Sequence, residues 1–483
     1  MLPARRLLPL LLLVAATALA QQPAPMPKPA ASLQPADIDA LLERARKRDA
    51  EAEYALALMT YQGNGLSANA SQAFRLAQRA AGRGHLEAQY ALAFFHQYGI
   101  GTAADAATAL TAYLDAAGRG HARAQVTAGW MLAHGEGAAR DNAAARAWFQ
   151  KAAAQNLHDA HYNLGVLLEQ GSGGERDLPG ALAAYTRAAD AGIVEANLPL
   201  ARLLNGGVPG RAADPAAALP RYLVAAERGS REAQFAAGQI YLASTATTPG
   251  NLANAVKWLE IAGNAGERDA FILLSRWFDE RATPADRERA AKYYRLSADA
   301  GHPPSIRRLA RLLHEKTVPE AAPDETDARM RAAARDGDAE IQFQLAERLA
   351  RREPPIAKAI EEAVSWYRRA AEQGDPKAAL ALGIALEEGR GTARNAAEAH
   401  RWYEAAAKAN LPEAHYRMGV QFDQGVGVRS DHRRALALYA EAAKLGHERA
   451  QERIDRLVRP PSFGAGGVRD PFPPANDPFR GLR

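Results

Sequence analysis

The stretch HLEAQYALAFFHQYGIG, from His85 to Gly101, returns thirty-six residues later as HARAQVTAGWMLAHGEG and, after a further thirty-six, as LHDAHYNLGVLLEQGSG. A fixed period of this length restricts the possible folds to stacked supersecondary units. A small residue marks the register at Ala52, Ala88, Ala124, Ala160, Ala196, Ala233, Ala270, Ser305, Ala378, Ala414 and Ala450, with Ile341 the one exception, at spacings of 35 to 37 residues. Five places further on, a second series (Ala57, Ala93, Gly129, Gly165, Ala201, Gly238, Ser275, Ala310, Ala346, Gly383, Gly419) contains only Ala, Gly or Ser. Solvent exposure would not demand this. Close approach of helices does, because axes about 8 Å apart leave room for only a tiny side chain.

Each unit has two helical halves. In the first, residues such as Ala88, Leu92, Ala93 and Phe95 form a helical stripe. A G-x-G follows in many units (Gly63/Gly65, Gly99/Gly101, Gly135/Gly137, Gly171/Gly173, Gly389/Gly391, Gly425/Gly427), and glycine tolerates the positive φ that ends a helix. The second half, such as NAAARAWFQKAAAQN at 142–156, carries an aromatic near its end (Tyr113, Trp148, Tyr185, Tyr222, Trp258, Tyr293, Trp366, Trp402, Tyr439) and closes on Gly or Asn. One helix pair cannot bury its own apolar face, but stacked pairs can. The expected fold is therefore all-α: a right-handed α/α superhelical solenoid of about eleven helix–turn–helix repeats over 49–446. Capping helices are expected at 37–48 and 447–459. Between 230 and 374 the G-x-G is replaced by segments such as HEKTVPEAAPDETD (314–327). These are read as degenerate repeats, with two readings open: a flexible joint, or ordinary loop variation.

The stretches DAHYNLGVLLEQGSG, AALALGIALEEGRGTARNAAEAHRWYEAAAKAN and EAHYRMGVQFDQGVGVRSDHRRALALYAEAAKLG carry a resemblance. They resemble the Sel-one-like repeat, a relative of the tetratricopeptide repeat, and the likeness covers most of 49–446. It implies a protein-binding solenoid whose first helices line the concave side. It also implies roles of the kind exported members serve: adaptors in envelope assembly, signalling or polysaccharide export.

The ends read differently. Arg5 and Arg6 precede the apolar run LLPLLLLVAATALA, which closes on Ala18-Leu19-Ala20. That is the pattern of a signal peptide (1–20) cleaved after Ala20, and its apolar run is shorter than the ~20 residues a spanning helix needs. A Pro/Ala linker (21–36) follows, and a Pro/Gly-rich tail (460–483) holds D-P-F twice, making Phe472 and Phe479 candidate docking residues. The chain has no cysteine, so disulfides and a lipid-modified cysteine are excluded. The expected address is the periplasm or exterior. The formal charge is +5, with Lys and Arg interspersed among Asp and Glu. No basic patch points to nucleic acid.

Searching for chemistry finds no phosphate loop, H-E-x-x-H helix, G-x-S-x-G elbow or S-x-x-K. His158 and His161 have the spacing of a metal pair, yet histidines also open units at His85, His121, His302 and His447, so the reading is repeat position and no metal or cofactor is expected. One slot beside the first small series holds Gln89, Gln125, His161, Gln234, Gln342 and His415. A row of such side chains on first helices would hydrogen-bond a partner's backbone or a glycan, and these six are the candidate partner-binding residues. The expected function is a non-catalytic scaffold of the bacterial envelope. A polysaccharide-export or glycan-binding accessory is the alternative, and a wall-active enzyme stands behind both.

Overall fold

A computed structural model describes residues 35–458, apart from 246, 247, 249 and 323. The expected signal peptide, most of the expected linker, and the tail with Phe472 and Phe479 lie outside the described residues. Within them, every regular element is helical: twenty-four α-helices and one short 3₁₀ turn at Val194–Ala196. Twenty-two of the helices form eleven pairs, from Ala50–Gln62 with Ala70–Gly82 to Pro412–Gln424 with His432–Lys444. The first helix of each pair is called A and the second B. A helix at Pro35–Arg46 precedes the pairs and one at Ala450–Val458 follows them. The chain divides into two compact units between Ala265 and Gly266, the first with six pairs and the second with five. Within each unit, every A helix packs on its own B helix and every B helix on the next A helix.

The sequence explains the local geometry. Most B helices start on Asp or Asn caps; Asp141, for example, accepts the Ala144 N–H at 2.9 Å. Such a cap satisfies one of the orphan donors of the first helical turn. Gly171 ends the His158–Gln170 helix with φ 69°. The second glycine of the G-x-G does something the turn alone does not require. A Cβ on Gly173 would lie 2.2 Å from the Asn142 carbonyl oxygen, in the first turn of the preceding B helix. Gly101, Gly137 and Gly427 meet the same obstacle on their own predecessors. This glycine is thus a contact between neighbouring pairs as well as a bend.

The second small series faces a ring. A Cβ on Gly165 would meet Tyr185 at 2.8 Å, and on Gly383 it would meet Tyr403 at 2.5 Å. The core ring in three units is the residue after the tryptophan named from the sequence. Phe149, Tyr367 and Tyr403 are fully enclosed, whereas Trp148 and Trp402 are half-buried and Trp366 lies at 6% exposure. Leu259, beside Trp258, fills the same place and would touch a Cβ on Gly238 at 2.5 Å. The tyrosine hydroxyls reach back to the end of their own A helix. Tyr185 donates to Glu169 at 2.8 Å, Tyr403 to Glu387 at 2.9 Å and Tyr113 to Gln97 at 3.0 Å. These tyrosine-bearing pairs are locked by an aromatic body in the core and a polar tip at the edge.

Candidate functional site

The Gln/His slot is not the open row expected from the sequence. Gln125, His161, Gln234 and Gln342 are buried, at 3–6% exposure, and Gln89 and His415 are half-buried. The physical reason lies in the preceding B helix. Its last carbonyls lack intrahelical donors, and the slot amide supplies one. Gln125 Nε2 donates to Ala117 O at 3.1 Å, Gln234 to Ala226 O at 3.1 Å and Gln342 to Ala334 O at 2.9 Å. The slot oxygen in turn accepts from the end of the unit's own B helix: Gln155 to Gln125 at 2.8 Å, Gln373 to Gln342 at 2.7 Å, and Arg119 to Gln89 at 2.5 Å. Gln125 and Gln342 therefore tie one A helix to the B helices on both sides, while Gln234 and Gln89 each make one such tie. The buried members of the slot do not form the open row that a partner would meet. Burial, with the Arg187 and His158 charges nearby, pushes the His161 imidazole below its ordinary range. Both ring nitrogens of His415 are enclosed without a hydrogen bond.

The histidines that open units are also structural. His85 Nδ1 accepts the Ala88 N–H at 3.1 Å, capping the Leu86–Tyr98 helix. Its Nε2 lies 2.8 Å from Glu51 of the preceding A helix. That geometry requires the proton on Nε2, donated to the carboxylate. His158 is exposed and His161 buried. Among the described residues no three His, Asp or Glu side chains gather as metal ligands.

One buried charge cluster was not read from the sequence. Arg417, 8% exposed, donates through Nε to Glu413 at 2.7 Å and through Nη1 to Glu387 at 2.7 Å. His447 adds a contact to Glu413 at 2.8 Å. Burial alone would raise the Glu413 carboxyl, but the His447 hydrogen bond and the Arg417 charge outweigh it and hold it low. Glu413 and Arg417 are one turn apart on the Pro412–Gln424 helix, and stacking of neighbouring elements brings Glu387 and His447 to them. The carboxylates of Glu387 and Glu413 balance the Arg417 guanidinium, whose Nη2 is left without a hydrogen bond.

The exposed flank of the A helices is where variety remains. Phe94 and Tyr98 have ring centroids 4.5 Å apart. One repeat on, Trp130 and His134 stack at 4.0 Å. Tyr98 is 44% exposed and His134 is exposed.

These features define a helical-repeat protein in which the interior of each repeat is consumed by ties to its neighbours. The Sel1 repeat model matches residues 50–85, 86–111, 122–157, 158–193, 231–267, 273–302, 339–375, 376–411 and 412–447, and the chain belongs to the Sel1 repeat family. The pairs at Asn197–Glu227 and Pro303–Arg335 fall outside these matches although they are built alike. No curated protein matches the chain. Among solved structures, it is similar to c5321, a protective antigen present in uropathogenic Escherichia coli strains displaying an SLR fold. The identity is 26% over 87% of this chain and 90% of that one, with a TM-score of 0.47. A Sel1 repeat protein from Oxalobacter formigenes is 24% identical over 47% of this chain and 96% of its own, with a TM-score of 0.37.

Proposed function

We propose that this protein is a non-catalytic scaffold of the bacterial cell envelope that holds protein partners on the exposed flank of its A helices. Sel1 repeats generally mediate protein–protein interaction, and their fold is typically non-catalytic. The observation that carries the choice of surface is the pair of aromatic couples Phe94/Tyr98 and Trp130/His134, repeated on successive A helices and reaching solvent. Aromatic side chains supply large contact area at small entropic cost, which is why they anchor interfaces. The envelope address rests on the basic, apolar and A-x-A pattern of residues 1–20.

Photo-crosslinking in the native envelope tests this reading. A crosslinker at position 98 or 134 should yield discrete protein adducts, while one at the exposed B-helix position Gln78 should not. Absence of adducts at both A-helix positions would refute the proposed surface. Mass spectrometry of the purified protein should find Gln21 as the first residue; an intact Met1 in a cytoplasmic fraction would refute the address.

A further inference from the structure

In the first pair the slot beside the small series is held by Glu53, which is 1% exposed. In later pairs the slot ties back to the final carbonyls of the B helix before it. Here the preceding element is the solitary Pro35–Arg46 helix, and a cleft of about 660 Å³ stands in place of that tie. Four arginines line it, Arg46, Arg48, Arg79 and Arg83, against a single carboxylate, Glu53. Glu53 holds two of them in place, with Arg79 Nε at 3.1 Å and Arg83 Nη1 at 2.5 Å. One buried carboxylate thus orients two guanidinium groups; Arg46 is paired with Glu43 beside the cleft, and the four guanidinium groups still outnumber these two carboxylates by two.

A second observation is independent of these charges. Thr60 also lines the cleft and is 1% exposed, yet its hydroxyl oxygen has no hydrogen-bond partner. A helical threonine ordinarily returns its hydroxyl to the carbonyl four residues back. A buried hydroxyl left unpaired is costly, and this one belongs to a residue of the cleft wall. Arg48 adds to the pattern. It has φ 67° where the equivalent turns hold Gly84, Gly120 and Gly192 or Asn156 and Asn410. An arginine therefore stands where glycine would sit without strain.

We infer that this cleft binds an acidic peptide segment of a protein partner, with the arginine forks on its carboxylates and the Thr60 hydroxyl as a further donor. Arg guanidinium and carboxylate match geometrically, two N–H groups to two oxygens. The walls contributed by Leu66 and Leu76 suit an aliphatic side chain next to the acid, which a bare inorganic anion would leave unused. The choice of peptide as the carrier of the carboxylate rests on the scaffold reading above.

Fluorescence anisotropy with the full chain tests it. The probe is a fluorescein-labelled peptide of alternating glutamate and leucine, and the control replaces each glutamate by glutamine. The acidic peptide should bind at least about tenfold more tightly than the control, and binding should weaken as salt rises. Arg46→Gln with Arg48→Gly should weaken it about tenfold or more while melting is retained, because glycine is the residue this turn favours. Thr60→Val keeps the shape and removes the unpaired hydroxyl, so affinity should fall severalfold with no loss of thermal stability. Equal affinity for the glutamine peptide, or unchanged affinity in the double variant, overturns the inference. So does displacement by inorganic phosphate or an oligogalacturonate at lower concentration than by unlabelled acidic peptide, which would assign the cleft to a different ligand. If the peptide fails while crosslinks at 98 and 134 persist, the scaffold reading stands without the cleft; if the peptide binds and those crosslinks vanish, the reverse holds.

Discussion

Gly165 shows what a single atom decides in this repeat. A Cβ there would sit 2.8 Å from the Tyr185 ring, a distance that forces the ring or the helix to shift. Gly165→Leu gains about 0.8–1 kcal/mol of helix propensity. Overfilling a packed contact costs about 1–3 kcal/mol or more, so the net expectation is a lower melting temperature, measured by circular dichroism; unchanged melting would contradict the contact. This position was legible because size was restricted in every repeat. The slot four residues before it was not. Glutamine and histidine read as surface residues in a one-letter string, and nothing in the sequence shows that the preceding helix end closes over them. The consequence is a prediction opposite in kind to a binding role. Gln125→Ala removes the donor to Ala117 O and the acceptor for Gln155. It should cost about 1 kcal/mol or more of stability, measured by urea denaturation. The same variant with wild-type stability would return the slot to the surface.

At the scale of the element, the segment HEKTVPEAAPDETD reads as a joint because it has no glycine turn and two prolines. The structure gives it hydrogen bonds of its own. Arg295, from the Pro284–Asp299 B helix, donates to Pro319 O at 2.7 Å and to both oxygens of Glu325 at 2.8 and 3.0 Å. Glu325 also accepts the Ala321 N–H at 2.7 Å. Glu325, Thr326 and Asp327 are buried. Side-chain ties thus do the work that glycine turns do elsewhere, and they are illegible in sequence because donor and acceptor lie about thirty residues apart. Trypsin cleavage after Lys316 should accordingly be slow in the wild-type protein and should accelerate in Arg295→Ala. Cleavage requires local opening, whose free energy falls when these bonds are removed. Rapid cleavage of the wild type at this site would restore the flexible joint; an unchanged rate in the variant would remove Arg295 from the tie. Helix pairing itself was legible throughout, since the period and the small residues fix eleven pairs without any knowledge of these ties.

At the scale of the whole molecule, the two compact units differ in how they hold their acids. The partly buried carboxyls held below their ordinary range are Asp279, Glu325, Glu362, Glu398 and Glu413, all beyond the divide at Gly266. Burial opposes ionisation in each, but hydrogen bonds and charge from Arg308, Arg295, Arg331, Arg368, and His447 with Arg417 prevail. A carboxyl depressed on folding binds fewer protons than it does in the unfolded chain. Its stabilisation is therefore complete above the unfolded value, 3.8 for Asp and 4.5 for Glu, and is lost as pH falls through the lower folded value. In the first unit the carboxyls held low, Asp49 by Arg44 and Asp105 by Thr108, lie at the surface, and the unit contains His161, whose folded value is depressed below 6.5. Unfolding then takes up a proton at that ring, so its destabilising effect begins as pH falls below 6.5. Repeat arrays gain stability from nearest-neighbour contacts, so losses confined to one unit can open it while the other holds. Hydrogen exchange should therefore show residues 266–458 losing protection more steeply than 35–265 between pH 5 and pH 3. His161→Gln, which installs the amide used at Gln125, should flatten the change in the first unit between pH 7 and pH 5. Equal loss in both units across the acid range would mean that the arginine-held carboxylates are not what sets the acid limit of the fold.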